Sequence, residues 1–257
     1  NIILKKINCK SITFKHTQGE NIYDTRGKYN NVIQGYNFHY QEYLWGKSSL
    51  EMSKKDNNKS ANLKIIPPIW SSKEIRNFSR DNLGINTLEE NCISVFTSGL
   101  NLEPKKNIIQ QKNIHNVNSI YDHVNFLKFF IKFLKIYTDK TILFKPKYKI
   151  KYAITNPLMR NAIDELVSSG RFFLYDDISR ASTVYENSKI VISMPFTSVV
   201  IEALCAGKKS FFLDINGRFK YSYYRKFPDL IANSEEESFR LFKKWNNMKK
   251  SDLKIYK

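Results

Sequence analysis

The stretch from Ile190 to Asp214, IVISMPFTSVVIEALCAGKKSFFLD, decides how the rest of the chain is read. Its opening run IVISM predicts a buried strand. A turn of small hydroxyls follows, then an apolar helix closed by Gly207 and a second buried strand. Together these make a βαβ unit, whose two strands run parallel. Glu202, the carboxylate of that helix, follows Ser198 by one turn, so hydroxyl and carboxylate share a face. A helix start with unpaired amides and a hydroxyl suits a phosphate. A carboxylate one turn on suits a sugar hydroxyl, and the pairing points to a nucleotide-type ligand.

Outward from this unit, strand and helix alternate. Expected strands are Ile93–Ser98, Thr141–Lys145, Arg171–Tyr175, Ile190–Met194 and Ser210–Asp214, mostly short and apolar, as when both faces are covered. Helices are expected over Tyr121–Tyr137, Pro157–Ser169 and Ser179–Asn187. Asn156 as cap, Pro157 in the first turn and Gly170 as terminator give the second a full start-and-stop signature. A last helix starts at Ser234 with Glu237 completing a capping box, and its apolar face is Leu241, Phe242, Trp245 and Met248. The expected class is α/β, a doubly wound parallel sheet of Rossmann-like type over residues 71–257. The first seventy residues offer three strand-like pieces (Ser11–Lys15, Tyr43–Trp45, Lys64–Ile69) between polar loops. They read as the remnant of an N-terminal α/β domain over residues 1–70, and the chain, which opens on Asn1, as truncated there.

The net charge is +18, from 42 Lys and Arg against 24 Asp and Glu. Three explanations are open: a nucleic-acid partner, an anionic membrane surface, or a lysine-rich composition with a phosphorylated small substrate. The lysines are scattered among Asn and Ile rather than gathered in a run, and no nucleic-acid motif accompanies them, so no nucleic-acid partner is expected. No apolar run approaches the ~20 residues that cross a bilayer. Cys9, Cys92 and Cys205 form neither a CxxC pair nor a disulfide framework, which fits a reducing cytoplasm. Walker, GxGxxG, GxSxG and HExxH motifs do not occur, which argues against NTPases, common dehydrogenases, α/β-hydrolases and zincins.

Ligands of an open parallel sheet bind beyond the carboxyl ends of its strands. Those ends are Thr97–Gly99, Lys145–Lys147, Tyr175–Asp177, Pro195–Ser198 and Asp214–Gly217. Lys145, Lys147 and the turn Pro195, Phe196, Thr197 and Ser198 are candidates to hold a diphosphate, Glu202 a ribose, and Tyr175 a base. Each has a structural alternative. Thr197 or Ser198 can be a plain helix cap, Glu202 the solvated residue of a buried helix, and Asp176 and Asp177 complements of a helix dipole. Lysines along Tyr121–Tyr137 suit either a membrane-surface helix or one that covers the sheet with its cations outward. The aromatic and basic loop Arg218–Lys226 suits base stacking, a lid or simple packing. His16, in FKHTQGEN after a strand, is a candidate proton acceptor. His39, His115 and His123 lack metal-ligand spacing, and no metal site is expected.

With these residues assembled, the segment SMPFTSVVIEALCAGKKSFFLD resembles the nucleotide-sugar-binding half of GT-B glycosyltransferases that build bacterial surface and capsular polysaccharide. CDP-glycerol glycerophosphotransferases share the layout. ITFKHTQG, EYLWGKSS, NCISVFTSG and ILFKPKY resemble further segments of such enzymes, in the same order. The resemblance implies a metal-independent transfer of a sugar, or a related activated unit, from a nucleotide-sugar donor, with no cofactor. Thr197 and Ser198 would then meet the donor phosphates and Glu202 the ribose. The histidine of the family's Lys-Pro-His-Pro strand end is Lys147 here, so no histidine role carries over. The acceptor implied is a glycan or lipid-linked glycan, with an anionic membrane surface as a further partner at the cytoplasmic face. A nucleotide-sugar epimerase of related fold and a basic nucleic-acid-binding protein are the alternatives.

Overall fold

The computed structural model describes residues 12–14, 41–45, 62–66, 91–100, 119–147, 154–175, 180–195, 197–220, 223–227, 229–249 and 252–253. In the first part, β1 (Ile12–Phe14), β2 (Gln41–Trp45) and β3 (Asn62–Ile66) form a parallel three-stranded sheet in that order. All three fall where strand-like pieces were expected.

The second sheet is built from β4 (Cys92–Phe96), β5 (Thr141–Lys145), β6 (Phe172–Leu174), β7 (Ile190–Ser193), β8 (Lys209–Leu213) and β9 (Ile231–Ala232). Its order is β6-β5-β4-β7-β8-β9 and every neighbouring pair is parallel. The chain thus starts in the middle, winds outward to one edge through β5 and β6, then returns and winds to the other. This is the 3-2-1-4-5-6 order of a doubly wound sheet, with its switch point between β4 and β7. The strands are apolar on both faces because helices cover both. Ile93, Val95, Ile142, Phe144, Ile190 and Ile192 belong to one core cluster; Cys92, Phe96, Leu143 and Val191, at the alternate positions, belong to the other.

The larger cluster is covered by α1 (Ile120–Ile136), α2 (Pro157–Ser168) and α5 (Glu235–Asn247), the smaller by α3 (Ala181–Glu186), while α4 (Val199–Cys205) gives Val200 and Leu204 to the larger and Ala203 to the smaller. Helix α1 settles the question left by its lysines. Phe126, Phe129, Phe130, Phe133 and Leu134 are buried in the core, while Lys132 pairs with Glu235 and Lys135 with Glu165. It is a covering helix. Phe133 meets Phe242 of α5 edge-on at 4.7 Å, and Tyr137 does the same at 4.7 Å, geometry that adds ~1 kcal/mol per pair beyond area. Leu241, Phe242 and Trp245 of α5 are buried, as its apolar face requires.

The helix ends follow local chemistry. Asn156 Oδ1 accepts from Leu158 N and Met159 N, Pro157 opens α2, and Gly170 beyond its end has φ 66°. At α5, Ser234 Oγ accepts from Glu237 N as expected, yet the Glu237 carboxylate accepts from Asn233 N instead of the cap residue. The complete capping box lies at α1, between Ser119 and Asp122. At the other end of α1 the Arg171 guanidinium donates to the carbonyls of Leu134, Tyr137, Thr138 and Lys140. One cation thereby meets an orphan acceptor of the last turn, Leu134 O, the cap carbonyl of Tyr137 and two carbonyls of the turn that follows.

Candidate functional site

The switch point brings together the carboxyl ends of β4 and β7, where a doubly wound sheet opens a crevice. β4 contributes Thr97 and Ser98, β7 contributes Ser193 and leads into Met194 and Pro195, and Met194 N donates to Phe96 O at 3.0 Å, holding the two exits side by side. Ser98 Oγ is 3.8 Å from Met194 Sδ across the same gap. The adjacent end of β5 brings in Lys145, opposite Phe96 in register, and Lys147 N donates to Thr97 Oγ1 at 3.4 Å. Lys145 is buried at the strand end, whereas Lys147 is exposed.

Behind this crevice the turn after β7 is organised by Ser193, which is fully buried. Its Oγ lies 3.2 Å from Phe96 O, 3.1 Å from Met194 O and 2.7 Å from Thr197 Oγ1. Pro195 is buried; Thr197 and Ser198 are half-buried at the opening of α4. Ser198 is the residue at the cap position, with φ −74° and ψ −18°, but its side chain makes no cap bond. Ser198 therefore does not play the plain capping role that the sequence also allowed. Glu202 N donates to Ser198 O at 2.9 Å, so the two residues do stand one turn apart on one face. Glu202 is only 7% exposed, which removes the solvated-helix alternative.

Tyr175 stands at the end of the edge strand β6, two strands from the switch point, with its ring packed against the smaller core cluster. Burial, and secondarily the Cys92 thiol, push its phenol above the usual range. Phe196 and His16 lie outside the described residues, as do Asp176 and Asp177.

Sequence reasoning missed a polar layer on the α1 side of the rim. Asp122 is buried and accepts from Ser119 N at 3.2 Å, Ser119 Oγ at 2.5 Å and Asn216 Nδ2 at 2.6 Å, and its Oδ1 lies 3.1 Å from an Arg218 guanidinium nitrogen. His123, also buried, has Nδ1 2.9 Å from Ser119 O and Nε2 3.2 Å from Ser98 O, linking α1 to the β4 exit. Asp214 at the end of β8 accepts from Phe219 N and Asn233 Nδ2, both at 2.7 Å, and so folds the loop after β8; burial nevertheless pushes its carboxyl up. Asp122, Met194, Pro195, Asp214, Asn216 and Arg218 line one small pocket at this end of the sheet. The Ser-x-x-Asp pattern at 119–122 was the available signal. Among the described residues, no three His, Cys, Asp or Glu side chains gather as metal ligands would, and no helix is long and apolar enough to cross a membrane.

A model of the family described as polysaccharide biosynthesis PFTS motif protein matches residues 16–240. The four letters of that description occur here at Pro195, Phe196, Thr197 and Ser198, the turn at the switch point. Among solved structures, the chain is similar to UDP-GlcNAc 2-epimerase from Methanocaldococcus jannaschii, with 12% identity over 97% of this chain and 67% of that one, and a TM-score of 0.56. It is also similar to S. aureus MnaA in a co-structure with UDP, with 10% identity over 98% and 62% and a TM-score of 0.57. The wall teichoic acid polymerase TagF follows at 15% identity over 98% and 63%, with a TM-score of 0.54. At these identities the likeness is one of fold, the GT-B-like α/β architecture expected from the sequence, and this chain spans about two thirds of the length of those proteins. No sequence among curated proteins matches significantly.

Proposed function

The chain belongs to the polysaccharide biosynthesis PFTS motif family, and on that premise we propose that it is the donor-binding part of a GT-B glycosyltransferase. The reaction moves a sugar, or a related activated unit, from a nucleotide donor to a glycan or lipid-linked glycan of a growing surface polysaccharide. The observation that carries this reading is the position of the turn 195–198: it leaves the sheet at the switch point, where a doubly wound sheet holds its ligand. Two of the similar folds, a UDP-GlcNAc 2-epimerase and MnaA in complex with UDP, support a nucleotide donor.

In this account the first amides of α4 and the Ser198 hydroxyl face the donor phosphates, Glu202 takes the ribose, and Lys145 and Lys147 supply positive charge from the neighbouring strand end. Charge builds on the departing nucleotide phosphate as the glycosidic bond breaks. Fixed amides and cations aimed at that phosphate stabilise it without reorganisation. His16 is the candidate base for the acceptor hydroxyl. The reaction needs no cofactor and proceeds without a metal, and the enzyme works peripherally at the cytoplasmic face of the membrane that carries its acceptor.

A thermal-shift panel of CMP, CDP, UDP, GDP and their sugar conjugates tests the reading, because a ligand that binds only the native state raises the melting point. A rise with at least one nucleotide is expected; none across the panel contradicts donor binding. Product analysis with the stabilising conjugate then separates transfer from epimerisation, which changes the donor with no acceptor present.

A further inference from the structure

The protons around Ser193 determine what Thr197 can offer a ligand. Ser193 Oγ carries one proton and has three oxygen neighbours: Phe96 O at 3.2 Å, Met194 O at 3.1 Å and Thr197 Oγ1 at 2.7 Å. The two carbonyls can only accept. Phe96 O already accepts from Met194 N at 3.0 Å. If Ser193 donated to Thr197, its lone pairs would still face both carbonyl oxygens at close range with no proton between them, which is repulsive inside a fully buried site. The arrangement that avoids this runs the other way: Thr197 donates to Ser193, the one Ser193 proton goes to Met194 O, and Phe96 O is met by Met194 N. The Thr197 hydroxyl then has only lone pairs left.

An ionised phosphate oxygen also has only lone pairs. The two cannot hydrogen-bond, whereas a hydroxyl group can donate to Thr197. Ser198, next along the turn, makes no cap bond within its helix and has a proton suited to a phosphate. Resting on the reading that a nucleotide donor binds at this turn, we propose that Thr197 accepts a hydrogen bond from a hydroxyl of the transferred unit. The phosphate contacts then fall to Ser198. Adjacent residues thus divide the donor between them, and Thr197 is a specificity determinant for the transferred group. This departs from the expectation that both hydroxyls meet phosphate.

The test is calorimetric titration of the full chain with paired probes: UDP with UDP-N-acetylglucosamine, CDP with CDP-glycerol, GDP with GDP-mannose. For the pair that binds, Thr197→Val should leave nucleoside diphosphate affinity unchanged and weaken the conjugate about fivefold, the effect of one neutral hydrogen bond. Thr197→Ser should behave as the parent, and Ser198→Ala should weaken both probes alike. Thr197→Ala serves with the same expectation should valine disturb folding, which the melting point reports. Equal weakening of both probes by Thr197→Val would assign Thr197 to the shared nucleoside diphosphate rather than to the transferred unit, and no change in either would place it outside the contact. Both results overturn this inference while leaving donor binding intact. A parent protein that binds none of the six probes overturns the donor reading and this inference together.

Discussion

Asp122 Oδ1 and an Arg218 guanidinium nitrogen lie 3.1 Å apart, tying the first turn of α1 to the loop that leaves β8. Only 6% of the Asp122 side chain is exposed, against 35% for Arg218, so the carboxylate is the buried anchor and the arginine its half-exposed partner. Asp122 also completes the capping box with Ser119 and accepts from Asn216.

Replacing Asp122 by Ala should therefore cost more than an ordinary cap. A cap alone contributes ~1 kcal/mol, and leaving buried donors unmet adds ~1–3 kcal/mol. Denaturant unfolding should show a loss of about 2–3 kcal/mol on these grounds, with Arg218→Ala costing clearly less because its side chain reaches solvent. Equal losses for the two would contradict the assignment of Asp122 as the anchor.

Arg171 donates to four carbonyls at the end of α1 and in the turn that follows it. Arg171→Ala should lower stability by about 2 kcal/mol, the scale of a charged hydrogen-bond set. Arg171→Lys should recover little, because a single ammonium lacks the planar fork that reaches several acceptors at once. Full recovery with Lys would show that charge alone matters at this position.

Burial raises the Asp214 carboxyl above its ordinary value of 3.8, against the lowering effect of the Phe219 and Asn233 bonds. The folded state thus holds this proton more tightly than the unfolded chain does. Its contribution to stability is fully present below the ordinary value and is lost as pH rises through the folded pKa. The stability of the parent relative to Asp214→Asn should accordingly fall as pH increases from about 3 toward neutrality. Paired unfolding curves at several pH values check this, and a relative gain with rising pH would refute it.

Trp245 is fully buried on α5 and its Nε1 donates to Asp229 O at 3.0 Å. Trp245→Ala should cost ~3–5 kcal/mol, as large-to-small changes in a packed core do. A thermal or denaturant midpoint close to that of the parent would show that α5 is not part of the cooperative core.

What the sequence made legible was decided by local chemistry. The strands from Thr141 to Leu213 and the Asn156–Pro157 and Gly170 ends of α2 carry their signals in adjacent residues, and all appear within a residue or two. The two-residue strand β9 has too few residues to show any period and was not anticipated. The turn at Pro195–Ser198 was legible as a site because it sits between a buried strand and a helix. The Ser193–Thr197 bond was not, since it depends on how the turn folds back. Asp122 and Arg218 are far apart in sequence, and their pairing exists only once the first turn of α1 meets the loop that leaves β8.

Everything functional rests on a nucleotide lying between the ends of β4 and β7. A crystal structure with the nucleoside diphosphate that raises the melting point most tests this directly. The account predicts diphosphate density at the opening of α4, within hydrogen-bond reach of Ser198, with the ribose toward Glu202. A nucleotide bound elsewhere on the molecule, with that crevice holding none, would contradict it.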